Sequence, residues 1–254
     1  MKLSVVIITK NEEDNIRECL ETVKWADEVI IADDFSTDST LKICREYTDR
    51  IFQKKLDGFG EQKQFGVDKA QGEWILVIDA DERLTPELQL EIKEAISKES
   101  VYSGFKIYRK SFYLGKWVCH CDWYVAILRL FKKNTGNFDL RMVHENVLVT
   151  GNVGTLKNPM LHYSYKSIQQ HVEKINSYSS FDAKELYKSG VRIRVYNIPW
   201  YLFLKPVLIF IRKYIFMKGF LDGKNGFLVS AFTSTVLFLT YIKVWELQKK
   251  CMTA

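Results

Sequence analysis

Three short runs constrain this chain more than anything else in it: LSVVIIT (Leu3–Thr9), EVIIA (Glu28–Ala32) and EWILVI (Glu73–Ile78). Each is almost continuously apolar and rich in β-branched residues. A strand with one wet face would alternate apolar and polar positions. A near-unbroken run is what a strand covered on both faces of a parallel sheet requires. Each run also stops at a polar cluster: Thr9-Lys10-Asn11-Glu12, Asp33-Asp34 and Asp79-Ala80-Asp81.

Helical patterns fill the gaps. Asn11–Lys24 carries Ile16, Leu20 and Val23 on one face, and Ser36-Thr37-Asp38 supplies cap residues for a helix over Ser39–Tyr47. Arg50–Gln53 reads as a short third strand. The glycine-containing loop Asp57–Gly60 leads to a helix over Gln62–Ala70, and Thr85-Pro86-Glu87 opens another, with proline where its missing N–H does no harm. Strand alternating with helix predicts a doubly wound α/β fold with a mostly parallel central sheet flanked by helices. Ligands of such sheets sit beyond the carboxyl ends of the strands. The three polar clusters are therefore expected at one crevice. From Gly104 to about Tyr165 the pattern turns to short strands of antiparallel flavour, and Ser167–Tyr187 reads as a helix. The character changes after Gly190, so the expected division is a catalytic domain over 1–190 and a helical extension over 191–254.

At 254 residues the chain can bury a substantial core in one α/β domain, with some left for an appendage. With 47% hydrophobic residues, 27% charged and four prolines, no stretch is biased enough for disorder, and no internal repeat is present. The net charge of +6 is unevenly placed: residues 191–254 hold ten Lys/Arg against Asp222 and Glu246 alone. A basic, aromatic tail suggests an anionic membrane surface before it suggests nucleic acid, and no nucleic-acid partner is expected. Five scattered cysteines include Cys119 and Cys121, which would straddle a strand; Cys119-His120-Cys121 lacks a second pair at zinc spacing. Leu3–Thr9 is too short for a signal peptide, and a reducing cytoplasm is expected.

Asp79 and Asp81 end a buried run one residue apart and offer two carboxylates on one side. Hard cations such as Mg²⁺ and Mn²⁺ take such oxygens. A cation there would stabilise a departing diphosphate. Alone, the pair is equally a strand-end turn whose acids cap the next helix. The preceding GEWILVI, with Glu82 and a helix following, favours the functional reading.

The segments SVVIITKNEEDNI, VIIADDFSTDST, GFGEQKQFGVDKAQGEWILVIDADE and RLFKK…VHE, in this order, resemble family 2 glycosyltransferases of the GT-A fold. The likeness covers most of residues 1–150 and is greatest to the bacterial branch that adds glucose or similar sugars to the lipopolysaccharide inner core. The resemblance implies an inverting, divalent-metal-dependent hexosyltransferase using Mn²⁺ or Mg²⁺. UDP-glucose is the expected donor and a lipid-linked saccharide the acceptor. Thr9 and Glu12 match positions lining the nucleoside pocket, and Asp34 matches the residue that hydrogen-bonds the pyrimidine. Asp33 would be structural. Lys63 matches a base near the diphosphate, Asp79 would face the ribose or sugar, and Asp81 would bind the metal with Asp79 beside it. Gln64 departs from the usual Asn.

Val143-His144-Glu145 matches the motif that supplies the base for the acceptor hydroxyl. Glu145 is the expected base. His144, with an unperturbed pKa of about 6.5, is the rival or a packed histidine holding the loop. His162 would be a further metal ligand or a structural histidine. WVCHCDWYVAILRL (Trp117–Leu130) should border the acceptor. There Trp123 would stack on a sugar or be buried, and Arg129 would orient the acceptor or pair with an acid. Cys121-Asp122 before Trp123-Tyr124, and Val125-Ala126 after, depart from the family pattern and leave the acceptor open.

Two rivals stand beside this reading. A sugar-nucleotide nucleotidyltransferase would want a glycine-rich loop after the first strand, where this chain has Lys10-Asn11-Glu12-Glu13. A membrane-bound scaffold without turnover would not need Asp79, Asp81 and Glu145 intact.

In the tail, Pro206 should kink or divide any helix over Pro199–Lys218. Gly219–Gly226 reads as a turn, and Asn225–Ile242 is free of charge for 18 residues. As a helix that is about 27 Å, just short of a ~30 Å hydrocarbon core. Ser230, Thr233, Ser234 and Thr240 form a hydroxyl stripe that suits helix packing. A helical hairpin lying on the inner face of the cytoplasmic membrane is expected. A transmembrane span and a homodimer interface are the alternatives.

Overall fold

The computed structural model describes residues 2–97, 100–139 and 146–252. The chain forms two compact units, Met1–Lys110 with Val125–Tyr163, and Ser111–Tyr124 with Ser164–Ala254.

The first unit opens β1 (Leu3–Thr9), α1 (Glu13–Val23), β2 (Glu28–Asp33), α2 (Thr40–Cys44), β3 (Ile51–Gln53), α3 (Phe59–Lys69), β4 (Trp74–Asp79), β5 (Glu82–Leu84) and α4 (Pro86–Ser97). Later strands are β6 (Tyr102–Tyr113), β7 (Lys116–Trp117), β8 (Tyr124–Lys132), β9 (Gly136–Phe138), β10 (Val147–Val149), β11 (Asn152–Thr155) and β12 (Met160–Tyr165). The sheet order is β3-β2-β1-β4-β8-β6-β12-β5. Strands β2 and β4 flank β1 in parallel, and β3 continues in parallel from β2. Strand β8 is antiparallel to β4, and β12 to β5.

The unbroken apolar runs do what two covered faces require. Val5, Ile7, Ile31, Leu76 and Ile78 pack on one side with Ile16, Leu20 and Val23 of α1 and Leu88 and Ile92 of α4. Val6, Ile30, Ile75 and Val77 pack on the other with Val67 of α3. Complete burial of Ile16 or Leu20 contributes about 2 kcal/mol each.

Helix α3 starts at Phe59, inside the expected loop. Gly58 stands extended as its N-cap, and the helix lies so close to β1 that a Cβ at Gly66 would sit 2.4 Å from Val6 Cγ1. Strand β5, not anticipated, arises because the turn after Asp79 folds back and pairs with β12. Thr85 Oγ1 accepts the Leu88 N–H at 3.2 Å and caps α4, whose first residue is Pro86 as expected.

In the second unit, α5 (Ile168–Lys188) is capped by Ser167 Oγ, which accepts Gln170 N–H at 3.1 Å. A helical run follows: π-turns over Pro199–Leu204, α6 (Lys205–Ile211), and π-turns over Arg212–Phe216. The expected break at Pro206 is instead a change of helical pitch. Pro206 falls in the first turn of α6, where its missing N–H is tolerated. Lys218 (φ 58°) and Gly223 (φ 60°) adopt the left-handed region around a tight 3₁₀ turn over Gly219–Asp222, and α7 (Gly223–Met252) completes the chain. The hydroxyl stripe is satisfied within the protein: Ser230 donates to Gly226 O at 2.8 Å and Ser234 to Pro206 O at 2.7 Å. Cys119 and Cys121 lie in the turn before β8 rather than across a strand.

Candidate active site

Register decides which residues meet. Thr9 of β1 stands beside Asp33 of β2, and Ile8 beside Asp79 of β4. Three of the chain's polar clusters therefore share one edge of the sheet, as the sequence led us to expect.

At the β1 and β2 ends, two loops are knitted together. Asn11, at φ 50°, donates its N–H to Ser36 Oγ at 2.9 Å, and its Oδ1 accepts Thr37 N–H at 2.8 Å. The Glu12 carbonyl accepts the N–H groups of Asn15 and Ile16 and starts α1, while its carboxylate accepts Asn15 Nδ2 at 2.7 Å. Thr9 is buried, with Oγ1 3.5 Å from Asp33 Oδ1. Asp33 accepts from Ser36 N and Gln53 Nε2, each of them within 3.0 Å, which is a structural role. Asp34 is held differently. Lys10 Nζ lies 2.7 Å from its Oδ2, and Leu56 N–H donates to its Oδ1 at 3.0 Å.

At the β4 end, Asp79 receives Lys63 Nζ of α3 at 2.9 Å and Arg129 Nη2 of β8 at 2.7 Å. The same Arg129 nitrogen reaches Glu82 Oε1 at 3.1 Å, and Arg109 Nη1 of β6 lies 3.8 Å from that oxygen. Glu82 Oε2 in turn accepts the Asp79 N–H at 2.9 Å. Burial alone would push the Asp79 carboxyl up, but the Arg129 and Lys63 charges outweigh it and hold the group well below the usual carboxylate range. Lys63, Arg109 and Arg129 thus face Asp79 and Glu82, with Asp81 buried on the same turn, so cations and acids stand together at the strand end where a phosphate-bearing ligand and its counter-ion would meet.

Asp81 is buried, and its carbonyl accepts Tyr163 N–H at 2.9 Å. The pairing of β12 with β5 sets His162 opposite Glu82 and brings His162 Nε2 to 3.6 Å from Asp81 Oδ1. Arg83 pins this turn by donating to Ala80 O and Glu82 O, both at 2.9 Å, and to Asn15 O at 2.6 Å.

Among the described residues no group of three His, Cys, Asp or Glu is gathered for a metal. Asp81 and His162 nevertheless fit a divalent cation in this role. Mg²⁺-type ions in phosphate sites take one or two protein ligands and fill the rest with waters and substrate oxygens.

Arg129, weighed between acceptor and acid, is paired with acids, and Lys63 is paired with Asp79. Trp123 belongs to the second unit, edge-on to Tyr113 at 5.6 Å and tilted against Tyr165 at 6.2 Å. His144 and Glu145 lie outside the described residues. Sequence reasoning gave no role to Lys10, Arg83 or Arg109. The one signal for Arg109 is a charge set inside the strand pattern FKIYRKSFY.

The glycosyl transferase family 2 model matches residues 4–156. The chain is 29% identical to the lipopolysaccharide core biosynthesis glycosyltransferase LpsC of Rhizobium meliloti, over 97% of this chain and 93% of that one. It is 34% identical to an uncharacterized glycosyltransferase of Rickettsia typhi, over 98% of this chain and 88% of that protein. In fold it is similar to the crystal structure of Staphylococcus aureus TarS 1–349, with a TM-score of 0.52 at 16% identity over 96% of this chain and 92% of TarS. TarS complexes with UDP and with UDP-GlcNAc give TM-scores of 0.51 and 0.50. The chain belongs to glycosyl transferase family 2 and is a glycosyltransferase of the GT-A fold.

Proposed function

We propose that this glycosyltransferase moves a hexose, glucose from UDP-glucose, with inversion onto a lipid-linked saccharide of the lipopolysaccharide core type. The transfer takes place at the inner face of the cytoplasmic membrane. The observation that carries the reading is the ion-paired end of β4, where Lys63 and Arg129 hold Asp79 and where Asp81 stands beside His162. LpsC, similar over almost the whole chain, supports the acceptor class.

In this reading Thr9 and Glu12 line the nucleoside pocket and Asp34 accepts the pyrimidine N–H. Asp79, kept ionised by its two cations, accepts ribose or sugar hydroxyls, while Lys63 lies toward the diphosphate. Asp81 and His162 hold a divalent cation, Mn²⁺ or Mg²⁺. When bound, that ion would neutralise charge gathering on the leaving diphosphate. Glu145 takes the proton of the attacking hydroxyl, with His144 supporting its loop. Arg129 holds Asp79 in place. Residues 1–190 serve catalysis, and residues 191–254 attach the enzyme to an anionic membrane surface.

The test is a screen of nucleotide sugars for hydrolysis and transfer with Mn²⁺ or Mg²⁺, comparing wild type with Asp81→Ala and Glu145→Gln. Asp81→Ala should weaken donor binding. Glu145→Gln should bind donor yet lose about 10²–10⁴-fold in turnover. Unchanged activity in both variants would reject this active site.

A further inference from the structure

Among the described residues one helix, Gly219–Lys249, is long and apolar enough to cross a membrane, with a mean hydropathy of 1.7 in its most apolar window. The side chains around it point elsewhere for membrane contact. Helix α7 is flanked within its unit by α5 and α6. Its Lys243 Nζ donates to Asn176 Oδ1, Ser179 Oγ and Ser180 Oγ, each at 2.8 Å, which ties the helix to α5.

The run Pro199–Phe216 has its polarity reversed. A surface helix normally turns apolar residues inward and bases outward. Here Lys205 turns inward: its Nζ donates to Tyr241 OH at 3.2 Å and lies 4.5 Å from the Tyr201 ring centroid. Lys213 does likewise, donating to Asp122 Oδ2 at 2.9 Å and Cys121 O at 3.0 Å. The outward positions include Trp200, Phe203, Val207, Ile211 and Ile215, three or four apart, with Leu204, Leu208 and Phe216 exposed beside them; Phe203 is 63% and Phe216 77% exposed. Arg212 within the run, and Lys218 and Lys224 just after it in sequence, are exposed. Of the two acids in 191–254, Asp222 is turned into the protein, accepting His120 N–H at 2.9 Å.

We infer that the outward face of Pro199–Phe216, not α7, is the element that enters a bilayer, lying in its plane with an anionic headgroup layer over Arg212, Lys218 and Lys224. The inference rests on the membrane attachment proposed above. Only one side of the run is bare, so it suits an interface rather than a span surrounded by lipid. Charge selects lipid as the occupant. Arg212, Lys218 and Lys224 are exposed beside or just after the run, and lipid phosphates complement their charge.

The test is flotation of the full-length protein with vesicles of phosphatidylethanolamine and phosphatidylglycerol, against phosphatidylcholine alone. Phe203→Ser, Leu208→Ser and Ile215→Ser are combined in one variant, with its thermal unfolding measured alongside. Wild type should float with the anionic vesicles, and the variant, folded, should partition more than about tenfold less. Should the triple variant fail to fold, brominated lipids supply the second measurement: they should quench wild-type tryptophan fluorescence, and Trp200→Phe should remove most of that quenching. Wild type and folded variant floating equally, or quenching that does not depend on Trp200, would overturn the role of this face while leaving membrane attachment standing. Wild type that floats with neither vesicle would overturn both. A lipid-free wild-type dimer that the triple variant dissociates would assign the face to self-association instead.

Discussion

Arg129 Nη2 lies 2.7 Å from Asp79 Oδ2, a contact between residues fifty positions apart that joins β8 to the end of β4. Arg129 is almost fully buried, so its charge depends on this partner and on Glu82. Removing one member of such a cluster strands the rest without solvent. Arg129→Met should cost about 3 kcal/mol in urea unfolding at neutral pH. A loss no larger than that of an exposed arginine would show that the cluster is not held as drawn.

The same cluster sets an acid limit. The Asp79 carboxyl titrates lower in the folded protein than its unfolded value of about 3.9, because Arg129 and Lys63 favour the charged form against the effect of burial. Its contribution is therefore complete above the unfolded value and is lost as pH falls toward the folded one. Stability measured by denaturation should decline below about pH 4, and Asp79→Asn should flatten that decline.

His171 gives a second, separate pH dependence. It is buried in the second unit, stacked on Tyr165 at 3.9 Å, with Nδ1 3.0 Å from Tyr113 OH. Burial first, and then the nearby Lys174 charge, lowers its pKa to about 4. The folded state holds it neutral, so between its unfolded pKa of about 6.5 and about 4 the unfolded chain binds the extra proton. Acidification across that window should remove on the order of 3 kcal/mol. His171→Phe should give a flatter profile there, and an identical profile would show that His171 does not titrate in this way.

His162 can be tested apart from catalysis. Isothermal titration of Mn²⁺ into protein saturated with UDP should show affinity reduced by about tenfold or more in His162→Ala, as for loss of a nearby supporting group or ligand. Unaltered affinity would leave Asp81 to act without it.

Gly66 tests the packing of α3 on β1. A Cβ there would meet Val6 Cγ1 at 2.4 Å, in a sheet with no slack. Gly66→Ala should destabilise the protein by about 1–3 kcal/mol, seen as a lowered unfolding temperature. It should also displace Lys63, one turn away on the same helix.

The strand-end clusters were legible because the unbroken β-branched runs at Leu3, Glu28 and Glu73 admit little except a parallel sheet, and a parallel sheet puts its carboxyl ends at one edge. The helices opening near Ser167 and Thr85 were legible for a similar reason: the residues that cap them bond partners three residues away, within reach of local sequence. Glycine obscured the start of α3, since Gly58 and Gly60 look like loop residues whereas Gly58 is the N-cap and Gly60 lies in the first turn.

Sequence by itself determined the local chemistry here: which segments become buried strands, which acids end them, and that the tail is basic and apolar. Those properties depend on near neighbours along the chain. Tertiary structure alone decided that Arg129 and Lys63 meet Asp79, that β12 delivers His162 to Asp81, and that Lys205 and Lys213 turn inward while apolar residues face out. Each of these is set by pairing between distant segments, and the energy that fixes them comes from burial shared across the fold, which no local stretch of sequence carries.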